Sequence, residues 1–201
     1  MKVTISHIKA DIGSLPGHSI VDEKVMSKIQ EYIEDHGKNL ISDFRMAHVG
    51  DDAQITMVHT KGIDSPEIHE LAWNAFKAGT EVAKKLGLYG AGQDLLKDSF
   101  SGNLKGMGPG VAEMEINERP SEPFIVYMMD KTEPGAFNLP IYKMFADPFN
   151  TPGLVIDEAM HSGFRFEVWD VIEHRAIFLD TPEDLYDLLA LIGSKEKYVV
   201  K

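Results

Sequence analysis

The chain has 201 residues, 43% apolar and 26% charged, which is the balance of an ordinary globular protein with enough length to bury a core. Lys plus Arg number 20 against 32 Asp plus Glu, and the net charge of -12 repels phosphate backbones, so nucleic acid is not an expected partner. There is no cysteine, which removes disulfides, thiolate catalysis and cysteine-ligated zinc together.

Met1 to Ser6 opens no apolar segment of signal-peptide length, and the longest strongly apolar run, Phe124 to Met129, is too short to span a bilayer. The expectation is a cytoplasmic protein with no membrane partner. An anionic ligand on so acidic a surface needs cations gathered at one place, and a metal ion supplies them most directly.

Val3 to Ile8 reads as a strand running into Asp11-Ile12-Gly13. Residues 22–36 follow as a helix, with Val25, Met26, Ile29, Tyr32 and Ile33 at three- and four-residue spacing and Gly37 as its stop. Leu40 to Val49 and Gln54 to Thr60 form two strands, and a hairpin through Gly50-Asp51-Asp52-Ala53 is the shortest connection. Pro66 to Leu86 is the clearest helix. Asp64 and Glu67 have capping-box spacing, Pro66 suits the first turn, and Gly87 ends it. Tyr89 to Gly110 carries six glycines and little periodicity, and a loop of that length inside a compact domain is usually functional.

Val111 to Asn117 alternates as a half-buried strand, and Phe124 to Met129 reads as a central strand ending at Asp130-Lys131. Gly135 to Gly153 reads as irregular. Phe164 to Ile172 pairs with Ala176 to Leu179 across Glu173-His174. A last helix opens at Thr181-Pro182-Glu183-Asp184 and closes at Gly193, and Tyr198 to Val200 begins a strand where the chain stops. The whole reads as one α+β domain over residues 1–201, mixed sheets with helices, cut short at its C-terminus.

The standard catalytic signatures are absent. There is no P-loop, no second His at zincin spacing after His69-Glu70, and no G-x-S-x-G elbow. Gly106-x-Gly108-x-Gly110 departs from the dinucleotide fingerprint and precedes a strand. Acidic groups at strand ends remain: Asp11, Asp51, Asp52 and Asp130, with His18 and Gln93 in loops. Hard divalent cations take oxygen ligands, and adjacent aspartates can hold a pair of ions that neutralise a phosphoryl group and activate a water. Each feature also has a plain structural reading. Gly50-Asp51-Asp52 is ordinary turn chemistry, a loop His often only hydrogen-bonds, and the glycines of 102–110 either cradle phosphate or shape a tight loop. Lys131 pairs either with a phosphate or with its neighbour Asp130.

Ile8-Lys9-Ala10-Asp11-Ile12-Gly13-Ser14, His18 and His48-Val49-Gly50-Asp51-Asp52 resemble the bifunctional fructose-1,6-bisphosphate aldolase/phosphatases of archaea and deeply branching bacteria. The likeness continues through Leu88 to Leu96, Asp98 to Asn103, Gly108 to Glu115, Asp130 to Ala136 and Tyr142 to Leu154, nearly the length of the chain.

The resemblance implies a gluconeogenic enzyme built as a four-layer α-β-β-α sandwich and assembled as a homo-octamer. Such an enzyme condenses dihydroxyacetone phosphate with glyceraldehyde 3-phosphate through a Schiff base. With Mg²⁺ it then hydrolyses the 1-phosphate of fructose 1,6-bisphosphate. It implies Asp11 as metal ligand and proton acceptor, and His18 as a contact to metal and substrate. Asp51, Asp52, Gln93 and Asp130 would be further metal ligands, with Tyr89, Gly102, Asn103 and Lys131 against the sugar bisphosphate. Family members continue past residue 201, and that part supplies the Schiff-base lysine. The alternative is a non-catalytic metal- and phosphosugar-binding or assembly module that needs a complementary C-terminal chain.

Overall fold

The computed structural model describes residues 1–96, 100, 108–118, 126, 128–129, 135–147, 158 and 161–201. The chain falls into two compact units, Met1–Asp130 and Lys131–Lys201.

In the first unit, β1 (Lys2–Asp11) is the inner strand of an antiparallel sheet. It pairs with β3 (Asp52–His59) on one side and β4 (Gly110–Asn117) on the other, and β2 (Asp43–Val49) pairs with β3, giving the order β2-β3-β1-β4. Alternation decides what each face does. Ile8 and Ala10 stand opposite Ile55 and Ala53, and this face packs on helices α1 (Glu23–His36) and α2 (Pro66–Lys85). Ile29, Ile33, Ile68 and Phe76 are fully or almost fully buried there, each contributing roughly 1.5–3 kcal/mol. The opposite face carries Lys9 and Asp11 on β1.

The α1 boundaries follow the sequence closely: Asp22 caps its N-terminus by accepting the Lys24 N–H at 2.8 Å, and the Gly37 N–H closes on the Ile33 carbonyl at 2.8 Å. The capping box expected before α2 is not formed. Ser65 is the N-cap, without a side-chain hydrogen bond, while Asp64 adopts a φ of 55° and gives its N–H to Glu113 at 2.6 Å. Glu113 also accepts from Ser6 Oγ at 2.6 Å and lies 3.1 Å from His69 Nε2. Burial would raise its carboxyl, but these three donors hold it below the ordinary carboxylate range. The entry of α2 is thus fixed to the sheet by a buried carboxylate. On β4, an edge strand, Met114 is 48% exposed.

In the second unit, β5 (Phe164–Asp170) pairs with β6 (Arg175–Thr181) and with β7 (Tyr198–Val200), all antiparallel. The hairpin across Glu173-His174 forms as the alternation predicts. The last helix is α4 (Leu185–Ile192), ended by Gly193. Gly135 to Gly153, read from sequence as irregular, contains helix α3 (Asn138–Phe145). Its Pro140 obscured the pattern, yet it lies in the first turn, where no N–H is required. Ile141, Tyr142 and Phe145 pack into the second core. The buried Asn138 side chain donates to the Tyr198 carbonyl at 2.7 Å and accepts the Val200 N–H at 2.9 Å, tying α3 to β7. Of the expected strand from Phe124 to Met129, only Val126, Met128 and Met129 are described, and none of the three is in a strand. No helix among the described residues is long and apolar enough to cross a membrane.

Gly79 of α2 packs tightly against Ile29 of α1. A Cβ there would lie 2.8 Å from Ile29 Cγ1 and 3.1 Å from Ile12 Cδ1. Helical glycine costs about 1 kcal/mol against alanine, so contact rather than propensity explains it. Gly79→Val is expected to lower stability by about 2–3 kcal/mol in urea unfolding, and an unchanged midpoint would refute this packing account.

Candidate metal centre

Register brings the acidic groups together. Asp11, the last residue of β1, stands directly opposite Asp52, the first residue of β3. Sequence reasoning set Asp11 just past its strand and Asp52 inside the turn; the ladder runs three residues further on β1 and begins two earlier on β3, and it pairs them. The β2–β3 connection is only Gly50-Asp51, with Val49 opposite Asp52 and Gly50 at φ 57°, the positive value that a tight primed turn demands at its first position. That turn folds Asp51 inward until it is fully buried. Asp51 Oδ2 accepts from Ser14 Oγ at 2.9 Å and lies 2.5 Å from His18 Nδ1. Asp11, His18 and Asp51 each present one ligand atom within 4.8 Å of the others.

Two further elements close the site. Ser14 and Tyr89 exchange backbone hydrogen bonds of 2.9 and 2.8 Å, which clamps the segment after β1 onto the loop after α2. The Tyr89 ring, 61% exposed, meets the His18 ring edge-on at 5.1 Å. Beyond it, a single turn of 3₁₀ helix (Asp94–Leu96) lets Asp94 Oδ2 accept the Asp11 N–H at 2.9 Å. Lys9, on the same face of β1 as Asp11, forms an ion pair with the Asp52 carboxylate.

Burial and crowded like charges together raise the proton affinity of these carboxyls. The Asp11 carboxyl is pushed up to about 6, first by burial, then by the Asp51 and Asp94 carboxylates, with Asp52 adding least and the Gly13 N–H opposing. Asp94 is raised as well, chiefly by burial, against the Asp11 N–H and Lys9. Protein carboxylates held this close favour a cation between them, and two carboxylates with one imidazole form a donor set that fits a divalent metal ion.

Of the residues singled out from sequence, Asp11, His18, Asp51 and Asp52 converge, and Tyr89 stands beside them. Gln93 is exposed and next in sequence to Asp94, with its N–H turned to the Gly90 carbonyl. Gly102, Asn103, Asp130 and Lys131 lie outside the described residues. Sequence reasoning gave no role to Lys9, Ser14 or Asp94. The i, i+2 spacing of Lys9 and Asp11 on one strand was a usable signal for Lys9; Asp94 had none, because only the fold brings it to β1.

A family model described as fructose-1,6-bisphosphatase matches residues 2–201. The chain belongs to that family. It is 63% identical over its whole length to the fructose-1,6-bisphosphate aldolase/phosphatase of Thermococcus onnurineus and equally to that of Thermococcus kodakarensis, covering 54% of each. It is 61% identical to the protein of that name from Ignicoccus hospitalis, covering 52%. The chain therefore spans about half the length of the curated relatives it matches.

The raised Asp11 carboxyl makes the site sensitive to pH. Its folded value near 6 exceeds the ordinary 3.8, so its contribution to stability is complete below about pH 4 and is lost as pH rises through 6. A divalent cation needs the ionised group, so its affinity is expected to fall about tenfold per pH unit below 6. Calorimetric titrations between pH 5 and 8 check this, and a flat affinity would contradict it.

Proposed function

We propose that this chain carries the metal- and phosphate-binding part of a Mg²⁺-dependent fructose-1,6-bisphosphate aldolase/phosphatase of gluconeogenesis. The observation that supports this most is the convergence of Asp11, His18 and Asp51 at the end of β1, with Asp52 paired to Asp11 and family membership over the whole chain. The names of the relatives supply the substrate, fructose 1,6-bisphosphate.

A bound Mg²⁺ would neutralise phosphoryl charge and acidify a water molecule. The residues of the chain do the rest. Asp51, buried and fixed by Ser14, is the rigid ligand of the set. Asp52 and His18 flank it, and Gln93 and Asp130 complete the ligand set by family likeness. Asp11 is the proton acceptor: its carboxyl near 6 is ionised at neutral pH yet basic enough to take a proton from the attacking water. Water adds at phosphorus, the bond to the sugar oxygen breaks, and inorganic phosphate and fructose 6-phosphate leave. Tyr89, exposed beside His18, borders the sugar, with Gly102, Asn103 and Lys131 assigned to the phosphates on the same family likeness.

The aldol step joins dihydroxyacetone phosphate to glyceraldehyde 3-phosphate and requires a neutral amine beside the ketone. Lys9, the lysine beside the carboxylates, is held in an ion pair with Asp52, an arrangement suited to the phosphate half of the chemistry. A cytoplasmic homo-octamer is proposed on family likeness alone.

Asp51→Asn and Asp52→Asn are each expected to weaken Mg²⁺ binding by about 10- to 100-fold in calorimetric titration. Asp43→Asn, at an exposed position opposite Val58 at the far end of the hairpin, is expected to change nothing. Equal effects at all three positions would remove the metal role. Phosphate release from fructose 1,6-bisphosphate is expected to vanish in excess chelator and in Asp11→Asn, and release that survives either treatment would overturn the mechanism.

A further inference from the structure

We infer that Lys9 is a built-in counter-ion which a divalent cation must displace from Asp52, and that it thereby sets the metal affinity of the site. The inference rests on the reading of the carboxylate cluster as a metal centre. Lys9 projects from the same face of β1 as Asp11, two residues away. It stands opposite Gln54, which makes Asp52 its diagonal neighbour across the ladder, within reach of a long side chain. The ammonium meets the Asp52 carboxylate, whose side chain is only 5% exposed, and it also lowers the proton affinity of Asp94. The Lys9 side chain is itself one-third exposed.

The path of the stem is built for this. Lys9 lies across Gly110 of β4, where an added Cβ would sit 3.1 Å from its Cγ and 3.4 Å from its Cε. Glycine at that position leaves room for the stem. A carboxylate that is almost wholly buried offers little surface to share between two cations. A metal ion arriving at Asp52 therefore meets a tethered positive charge, and the two repel at short range inside a partly desolvated site. The tethered charge holds the carboxylates together without metal, and it tunes how readily metal enters.

The experiment is calorimetric titration of the chain with Mg²⁺ and Mn²⁺ at pH 7.5 and low salt, paired with thermal melts in chelator and in Mg²⁺. Lys9→Met is expected to bind either ion at least about fivefold more tightly, the direction set by removing a like charge. It is also expected to melt lower in chelator and to gain more from Mg²⁺ than the parent chain. Lys9→Arg, which keeps the charge, is expected to show no tightening. Gly110→Ala crowds the stem without removing the charge, and its expected tightening is in the same direction and smaller. It also provides the decision should Lys9→Met fail to fold. Unchanged or weaker binding in Lys9→Met, with the parent chain binding normally, would overturn the counter-ion role alone. A parent chain that binds neither ion at millimolar concentration would overturn the metal centre and this inference together.

Discussion

Four carboxylates packed at one end of one sheet are the constraint that shapes the first unit. Asp11, Asp51, Asp52 and Asp94 come from a strand end, a two-residue turn, a strand start and a 3₁₀ turn, and each is held by a different device. Burying like charges this close costs several kcal/mol per group unless cations or donors compensate. The Ser14 hydroxyl, the His18 ring, the Lys9 ammonium and the Gly13 and Asp11 N–H groups supply part of that compensation. The rise of Asp11 toward 6 is the part that remains uncompensated. A stable protein tolerates such an arrangement because the helix-covered face of the same sheet supplies the cohesion.

Two carboxylates of the first sheet show how local supply decides the fate of a buried acid. Glu113 of β4 is held below the ordinary carboxylate range by three donors, one of them Ser6 midway along β1. At the end of β1, Asp11 receives one long hydrogen bond of 3.3 Å from the Gly13 N–H and faces other acids. Glu113 on β4 and Asp11 on β1 belong to one sheet, burial pushes both upward, and only the donors around Glu113 reverse the shift.

Much of this was legible in the sequence because periodicity is a local signal. The α1 helix, the β2–β3 hairpin, α2 and the β5–β6 pair follow from spacing, Gly stops and Pro positions. Helix α3 was missed because eight residues with a proline near the start give too short a period to recognise, and its burial comes from contacts with distant segments. The capping box before α2 failed because Glu113, far away in sequence, competes for the Asp64 backbone. Asp11, His18, Asp51 and Asp52 were visible as acids and a histidine at element ends. Asp94 was not, since nothing in its own neighbourhood points to β1. Local rules find the elements, and only long-range pairing finds the full set of charges.

The pairing of β1 with β3 runs unbroken from Thr4 opposite His59 to Asp11 opposite Asp52. Because side chains alternate, the distance from any buried residue to the acidic end is a matter of parity. Loss of one residue between Ile8 and Asp11 would turn Asp11 toward α1 and α2 and send an alanine or isoleucine to the site. Loss of two would keep the faces but leave Asp52 without its acid opposite. The strand can therefore vary in side-chain size far more readily than in length, and insertions belong in the loops that flank it.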